Sequence, residues 1–418
     1  MGLPARSSDY NLLRTLWPQK SIYEILLNLS PTIGIIRKDT SFYEATRQIG
    51  AGYSSPQGIG YSFPDAKEAK SASQSVEFSI TPKSLYGAFS MEGLLMRRAE
   101  SDKAIIVDPM KRESKNLVHT WMREISRTIH GNGGGALGRI TAAGPTTTVA
   151  PLTKYSDTRA FEKNMLVQAS TTDGTTGSVL PGYVTVSSVQ RDETTPSVTA
   201  TANWSTGIAS VGVDNYLFRR GGFGAAITGF DGWNPLWSTS SLPGTFKGAN
   251  RDLDPLRLAG ICLDARTLSP RLAALRAARL VHENGGKPDT YILSTEDYEN
   301  LANELQSAGL LKYSSVPATS IGKFNFGIKY DAISIMGPAG PIDCVADPDA
   351  PVGISRMLQK DTWVLASMGE LVHWINGANP SGNGMLEDAS DAVEFRMVGD
   401  LDLYCEAPGW NCRVRLAT

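Results

Sequence analysis

The strongest periodicity in the chain lies over residues 108–130. Leu117, Trp121, Ile125 and Ile129 recur every four residues, with Val118 and Met122 beside them. That spacing draws one continuous apolar stripe along a helix. Lys111, Arg112, Lys115, Arg123 and Arg127 fall on its other faces. Asp108 reads as the N-cap and Pro109 as the first helical residue, where a missing N–H does no harm. Gly131, opening the cluster 131–135, reads as the left-handed residue that closes the helix. At ~1.5 Å per residue such a helix is roughly 33 Å long. It is a spine on which other parts can pack.

Elsewhere the period falls to two. Ile59, Tyr61 and Phe63 alternate with polar residues, as do Val76, Phe78 and Ile80. These predict two half-buried strands joined by a solvated tip that carries Lys67, Glu68 and Lys70. So few apolar residues cannot pack a core alone, so the hairpin needs a neighbour's surface. Upstream, 21–29 reads as a short helix stopped by Pro31, within an arm that must lie on something else. Val184 and Val186 alternate with Tyr183, Thr185 and Ser187 in a β-rich stretch that runs to about residue 253. That stretch contains a long irregular segment around Trp233, Trp237 and Phe246.

From residue 254 helices and strands mix. Ser269 and Pro270 open a helix that Gly285 and Gly286 close. Residues 291–293 form a short buried strand, Ser294 or Thr295 caps a helix with Leu301 and Leu305, and 333–336 and 342–345 are strands around a turn. The end is again all strand, at 363–365, 371–375, 393–397, 401–405 and 412–416. These strands are expected to return to the sheet begun before residue 254. The fold class is α+β, with boundaries at 1–46 (arm), 47–85 (extended hairpin), 86–253 (spine and β-rich section), 254–345 (an α/β lobe) and 346–418 (returning strands).

A chain of 418 residues is long for a single core, which agrees with this division. A formal net charge of −2 argues against a protein that grips nucleic acid tightly. Basic residues still gather over 96–130, including Arg97 and Arg98, and acidic ones over 343–406, including Asp347 and Asp349. Cys262, Cys344, Cys405 and Cys412 form no CxxC pair and read as reduced core thiols. No apolar h-region opens the chain and no stretch has the ~18 apolar residues of a membrane span, so neither classical secretion nor a membrane is expected.

Catalytic signatures are missing. The glycines at 131–135 lack the Lys-Ser/Thr of a phosphate loop and follow a helix instead of opening one. His119, His130, His282 and His373 make no metal-binding pair with one another or with a cysteine. Asp347 and Asp349 lack the spacing of a calcium loop and read as a turn. No catalytic residue, cofactor or metal site is assigned.

The order of elements, with residues 75–80 (SVEFSI) leading to the basic 96–98, the spine followed by 132–138 (NGGGALG), then 213–222 (VDNYLFRRGG) and 229–235, resembles the major capsid protein of tailed bacteriophages. The resemblance spans nearly the whole chain. It implies no enzyme but a shell subunit, forming hexamers and pentamers around double-stranded DNA in a virion assembled in the bacterial cytoplasm. In that family the hairpin at 47–85 overlaps a neighbouring subunit, the spine and flanking strands form a peripheral domain, and 254–345 forms an axial domain. Lys67, Glu68, Lys70, Arg97 and Arg98 are the candidate subunit-contact residues. The hairpin begins too early to leave room for an N-terminal scaffolding segment, so a separate scaffolding protein is implied, with a portal and a possible decoration protein. The shell of a bacterial nanocompartment resembles the same fold and is the nearest alternative. A β-rich tail or adhesin component is another.

Overall fold

The computed structural model describes residues 30–92, 103–307, 333–375, 385–386 and 391–417. It is a mixed α+β chain with three six-stranded sheets and three hydrophobic cores among the described residues.

The spine helix runs Lys103–Ile129, beginning five residues before the start that Asp108 and Pro109 suggest. Asp108 and Pro109 therefore sit within it and do not open it. A proline there forfeits one bond, to the carbonyl four residues back, and a 27-residue helix survives that loss. The C-terminal stop also differs from expectation. His130 N–H donates to Arg127 O and Gly131 N–H to Thr128 O, tightening the last turn. The left-handed residues come later, at Gly133 and Gly135.

The spine lies on a sheet organised by one long strand, Ala392–Cys405. Lys83–Glu92, Trp363–Ser367 and His373–Trp374 all pair with it antiparallel, and Arg37–Asp39 adds to Trp363–Ser367 in parallel. Val118, Trp121, Met122, Ile125 and Ile129 share a core with Trp363, Leu365, Met397, Leu401 and Leu403. Trp121 Nε1–H donates to Leu85 O at 3.0 Å. A Cβ at Gly399 would lie 2.4 Å from that indole, so glycine is what lets helix and strand close up.

The stretch from residue 30 to 42 is not a free arm. Pro31 begins a helical turn, Pro31–Ile35, where it was expected to end one. Ser30, Ile33, Ile36 and Phe42 are buried in the same chain. The helix expected at 21–29 lies outside the described residues.

The hairpin is present, but its first strand is Arg47–Ser54, paired with Gln74–Ile80 in the register Arg47↔Ile80. The alternation at 59–63 does not make a strand. Ser62 Oγ instead accepts from Asp65 N–H and opens a helical turn, Phe63–Glu68, with Pro64 in its first positions. A cap followed at once by a proline outweighs a short period-two pattern.

Residues 136–219 close on themselves. The strand order is Ala136–Arg139, Tyr216–Arg219, Leu166–Ser170, Val184–Gln190, Ser197–Ala200 and Val149–Pro151. The last strand returns to the first through the bridge Ile140↔Leu152, flanked by Thr141 N–H to Pro151 O and Thr153 N–H to Arg139 O. The result is a small antiparallel barrel filled by Leu137, Phe161, Val167, Val184, Val186, Val198, Trp204 and Leu217.

The third sheet runs Ile261–Asp264, Cys412–Arg415, Ile354–Leu358, Thr290–Leu293, Gly340–Ala346 and Ile333–Gly337. Helices Pro270–Glu283 and Thr295–Ser307 cover it, and Ala273, Ala274, Ala277 and Ala278 let the first come close. Ser294 caps the second, accepting from Asp297 N–H at 3.0 Å. Ser269 makes no such bond within its own helix. Glu304 reaches across to take Arg271 N–H at 2.9 Å and Ser269 Oγ–H at 2.7 Å. Two C-terminal strands, Ile354–Leu358 and Cys412–Arg415, fill the middle of this sheet. Only part of the C-terminal region thus returns to the spine sheet. The pairing differs from expectation because a strand's sequence fixes its faces but not its partner.

Candidate functional site: a charge junction and a projecting hairpin

Where the spine ends, the chain gathers charge. His130 is buried at the helix C-terminus. Arg356, on the central strand of the third sheet, donates from Nη2 to His130 O at 3.1 Å and lies 3.2 Å from His130 Nδ1 through Nη1. A guanidinium cannot accept, so Nδ1 is the acceptor in this contact. Nε2 lies 3.4 Å from Asp347 Oδ2. That carboxylate also takes Ser30 Oγ–H at 2.8 Å, Thr32 N–H at 3.3 Å and, through Oδ1, Asp349 N–H at 2.9 Å. Burial opposes ionisation of Asp347, but the imidazole and these donors hold its carboxyl well below the usual range.

Asp231, in the short helix Phe230–Trp233, bridges two arginines. It accepts from Arg356 at 2.6 Å and from Arg413 at 3.0 Å. Two guanidiniums thus share one carboxylate, and Arg356 also reaches the carbonyl end of the spine, where a helix dipole favours a cation. Asp347 and Asp349 form the expected turn. Ser126 Oγ–H donates to Asp349.

Beside the junction is a cavity of about 220 Å³, lined among others by Arg123, Glu124, Arg127, Asp157, Glu162 and Arg219. Both signs of charge are already paired across it. Glu124 is shared by Arg127 and Arg219, and Arg123 holds Glu162. Burial opposes ionisation of Glu124, yet the two arginines keep its carboxyl below the ordinary range. Nothing in this arrangement pairs a nucleophile with a base. Burial pushes the Cys344 and Cys405 thiols up to about 12, and Cys412 further, so these are packing residues. No group of acidic, histidine and cysteine side chains among the described residues is arranged to hold a metal.

The other candidate is the hairpin tip. Ile59, Tyr61 and Phe63 are 85%, 111% and 82% exposed. Lys67 and Glu68 sit on the adjoining helical turn and Lys70 just beyond it, all exposed, so these three are brought together. Arg97 and Arg98 lie outside the described residues. The alternation of the apolar trio predicts a half-buried strand. The Ser62–Pro64 cap signal was the clue that it is a tip. At its root the hairpin is firmly held. Phe78 packs on Trp233 and Phe246 with centroids 5.1 and 6.3 Å away, and Ser79 N–H donates to Lys247 O. Lys247 Nζ in turn meets the buried Asp402 at 2.5 Å. The tip projects from a fixed base.

No family model matches the chain, and neither does any curated protein sequence. Solved structures do. A chain of the cyanophage A-1(L) capsid asymmetric unit is 13% identical, with 93% of this chain and 91% of that one covered at a TM-score of 0.50. The capsid of the native GTA particle is 10% identical, covering 93% and 90%, at 0.44. The satellite phage P4 procapsid is 10% identical, covering 96% and 91%, at 0.39. Over nearly its whole length, this chain has the fold of the tailed-phage capsid shell.

Proposed function

We propose that this chain is a major capsid protein, which assembles with copies of itself into an icosahedral shell around the double-stranded DNA of a tailed phage. The observation that carries the reading is the hairpin tip. Three large apolar side chains stand in solvent on a projection whose root is locked, which is the arrangement of a surface awaiting a second copy. The capsid fold supports it.

On this reading the hairpin is the extended loop that reaches a neighbour. The spine and its sheet form the peripheral domain, and the third sheet with its two helices forms the axial domain that meets its copies in pentamers and hexamers. Lys67, Glu68, Lys70, Arg97 and Arg98 are subunit-contact residues. Scaffolding, portal and decoration proteins are expected partners, and the virion is the final location. A near-neutral charge suits a wall that encloses DNA without adhering to it.

The test is electron microscopy of the expressed chain, alone and with its phage's scaffolding protein. Closed shells of regular diameter are expected. Rods, trimers or persistent monomers under both conditions would sink the reading, and small shells filled with an enzyme would convert it to the nanocompartment.

A further inference from the structure

The barrel at 136–219 has a feature that its place in the chain does not require. Its entry and exit lie side by side. Gly224 N–H donates to Gly134 O at 2.9 Å, and a Cβ on Gly135 would fall 2.2 Å from Gly222 O. Gly133, Gly135, Gly221 and Gly224 are all left-handed, as a tight double crossing demands. Between those crossings the ladder closes completely, and the core of Trp204 and its neighbours is separate from the core under the spine. Trp204 Nε1–H is satisfied inside the barrel, by Thr148 O at 2.9 Å.

Away from the neck, the barrel meets the body through polar contacts. Arg123 on the spine donates to Glu162 Oε1 at 2.9 Å and to Arg159 O at 2.7 Å. Arg159 donates to Pro348 O at 2.8 Å, Arg127 to Ala136 O at 2.8 Å, and Arg219 reaches Glu124 at 3.4 Å. The cavity of about 220 Å³ lies within this same interface, so the two bodies are not packed flush. A polar, incompletely packed interface is the kind that joins separable domains.

We propose that residues 136–219 are an inserted module that folds and unfolds as a unit of its own, clipped to the rest of the chain by an arginine-rich clasp. The hairpin, the spine and the third sheet owe their structure to one another and not to the barrel. The module opens without them, and salt weakens the clip because Arg123 and Glu162 are both partly exposed. This inference concerns the single chain and does not depend on the proposed function.

The test uses the full-length chain carrying Trp204→Ala, followed by hydrogen exchange and mass spectrometry. Emptying the barrel core should speed exchange in peptides from 165–200 by on the order of a hundredfold. Peptides from the spine, 117–129, and from the third sheet, 290–305, should change by less than about threefold. A parallel loss of protection in all three regions would overturn the proposal. So would a chain that fails to fold at all, because an independent module cannot unfold its host. Excision of 136–219, with Gly135 joined to Arg220, gives a second reading: spine protection retained supports the proposal and spine protection lost refutes it. Neither measurement requires a shell, so a failure here is distinct from a failure of assembly.

Discussion

Replacing Phe63 with serine separates folding from assembly. In the single chain Phe63 is 82% exposed at the start of a helical turn capped by Ser62, and Ile59 and Tyr61 beside it are at least as exposed. Removing an exposed ring costs the fold little, within ~0.5 kcal/mol for a surface site without special contacts. If the tip is buried against a second copy, the same ring contributes ~2 kcal/mol there. That corresponds to roughly a thirtyfold rise in the concentration at which shells form. Ile59→Ser together with Phe63→Ser, at ~4 kcal/mol, should abolish shells at micromolar protein. The assay pairs thermal melting of the unassembled chain with light scattering and electron microscopy across a concentration series. Unchanged melting with a shifted assembly threshold is expected. Shells forming at the original threshold would refute the reasoning, and a melting point lowered by many degrees would show that these side chains already serve the fold.

Asp157 faces the cavity beside the barrel, and burial pushes its carboxyl up to about 6 against the weaker opposing pull of Lys154 and the Arg139 N–H. An aspartate that titrates near 3.9 when unfolded then binds a proton on folding between about pH 4 and 6, so stability falls as pH rises through that window and levels off above it. Asp157→Asn should therefore stabilise the chain at pH 7.5, by no more than ~3 kcal/mol, and do little at pH 3.5; equal effects at both would contradict this origin. A maleimide at pH 7.5 should leave Cys344, Cys405 and Cys412 unlabelled in the native chain and modify them all in denaturant, with rapid native labelling as the contrary result. Gly229→Ala should destabilise by more than ~3 kcal/mol, since its Cβ would sit 2.0 Å from Ile129 O, whereas Gly212→Ala meets nothing within 4 Å and should melt within a few degrees of the parent.

What was legible in the sequence is what local physics decides. The apolar stripe of the spine, the buried strand Thr290–Leu293 and the Ser294 cap stand where their patterns put them, whereas the strands expected at 393–397 and 401–405 are one strand, Ala392–Cys405, in which Asp402 and Tyr404 are buried too. The errors lie where two local signals compete. Asp108 and Pro109 look like a helix start, yet the helix continues upstream of them, because a proline removes one bond without forbidding the turn before it. At 59–63 three alternating apolar residues compete with the Ser62–Pro64 cap, and the chain obeys the cap. Gly131 stood first in a run of five residues with four glycines, and only the tertiary path selects Gly133 and Gly135 as the left-handed pair.

The junction at His130 was illegible for a different reason. Its members, Asp231, Asp347, Arg356 and Arg413, are scattered over the sequence and carry no spacing that a reader can test. Each alone resembles ordinary solvated charge. Their pairing follows from topology: strands Ile354–Leu358 and Cys412–Arg415 are neighbours in the third sheet, so Arg356 and Arg413 stand side by side, in register, facing one helix end. Two adjacent buried guanidiniums would repel each other. Asp231 between them offsets much of that cost, and His130 O takes one Arg356 N–H, although Nε of each guanidinium is buried without a hydrogen-bond partner among the described residues. Burying such a set adds little net stability, because desolvation offsets attraction. It does impose direction: the hydrogen bond from Arg356 to His130 O at 3.1 Å holds only in a narrow range of orientations of the spine's end against the third sheet, whereas apolar side chains tolerate sliding. If the proposed function holds, copies of this chain must meet at repeated angles, and a charged junction fixes the needed orientation where a larger apolar core would not.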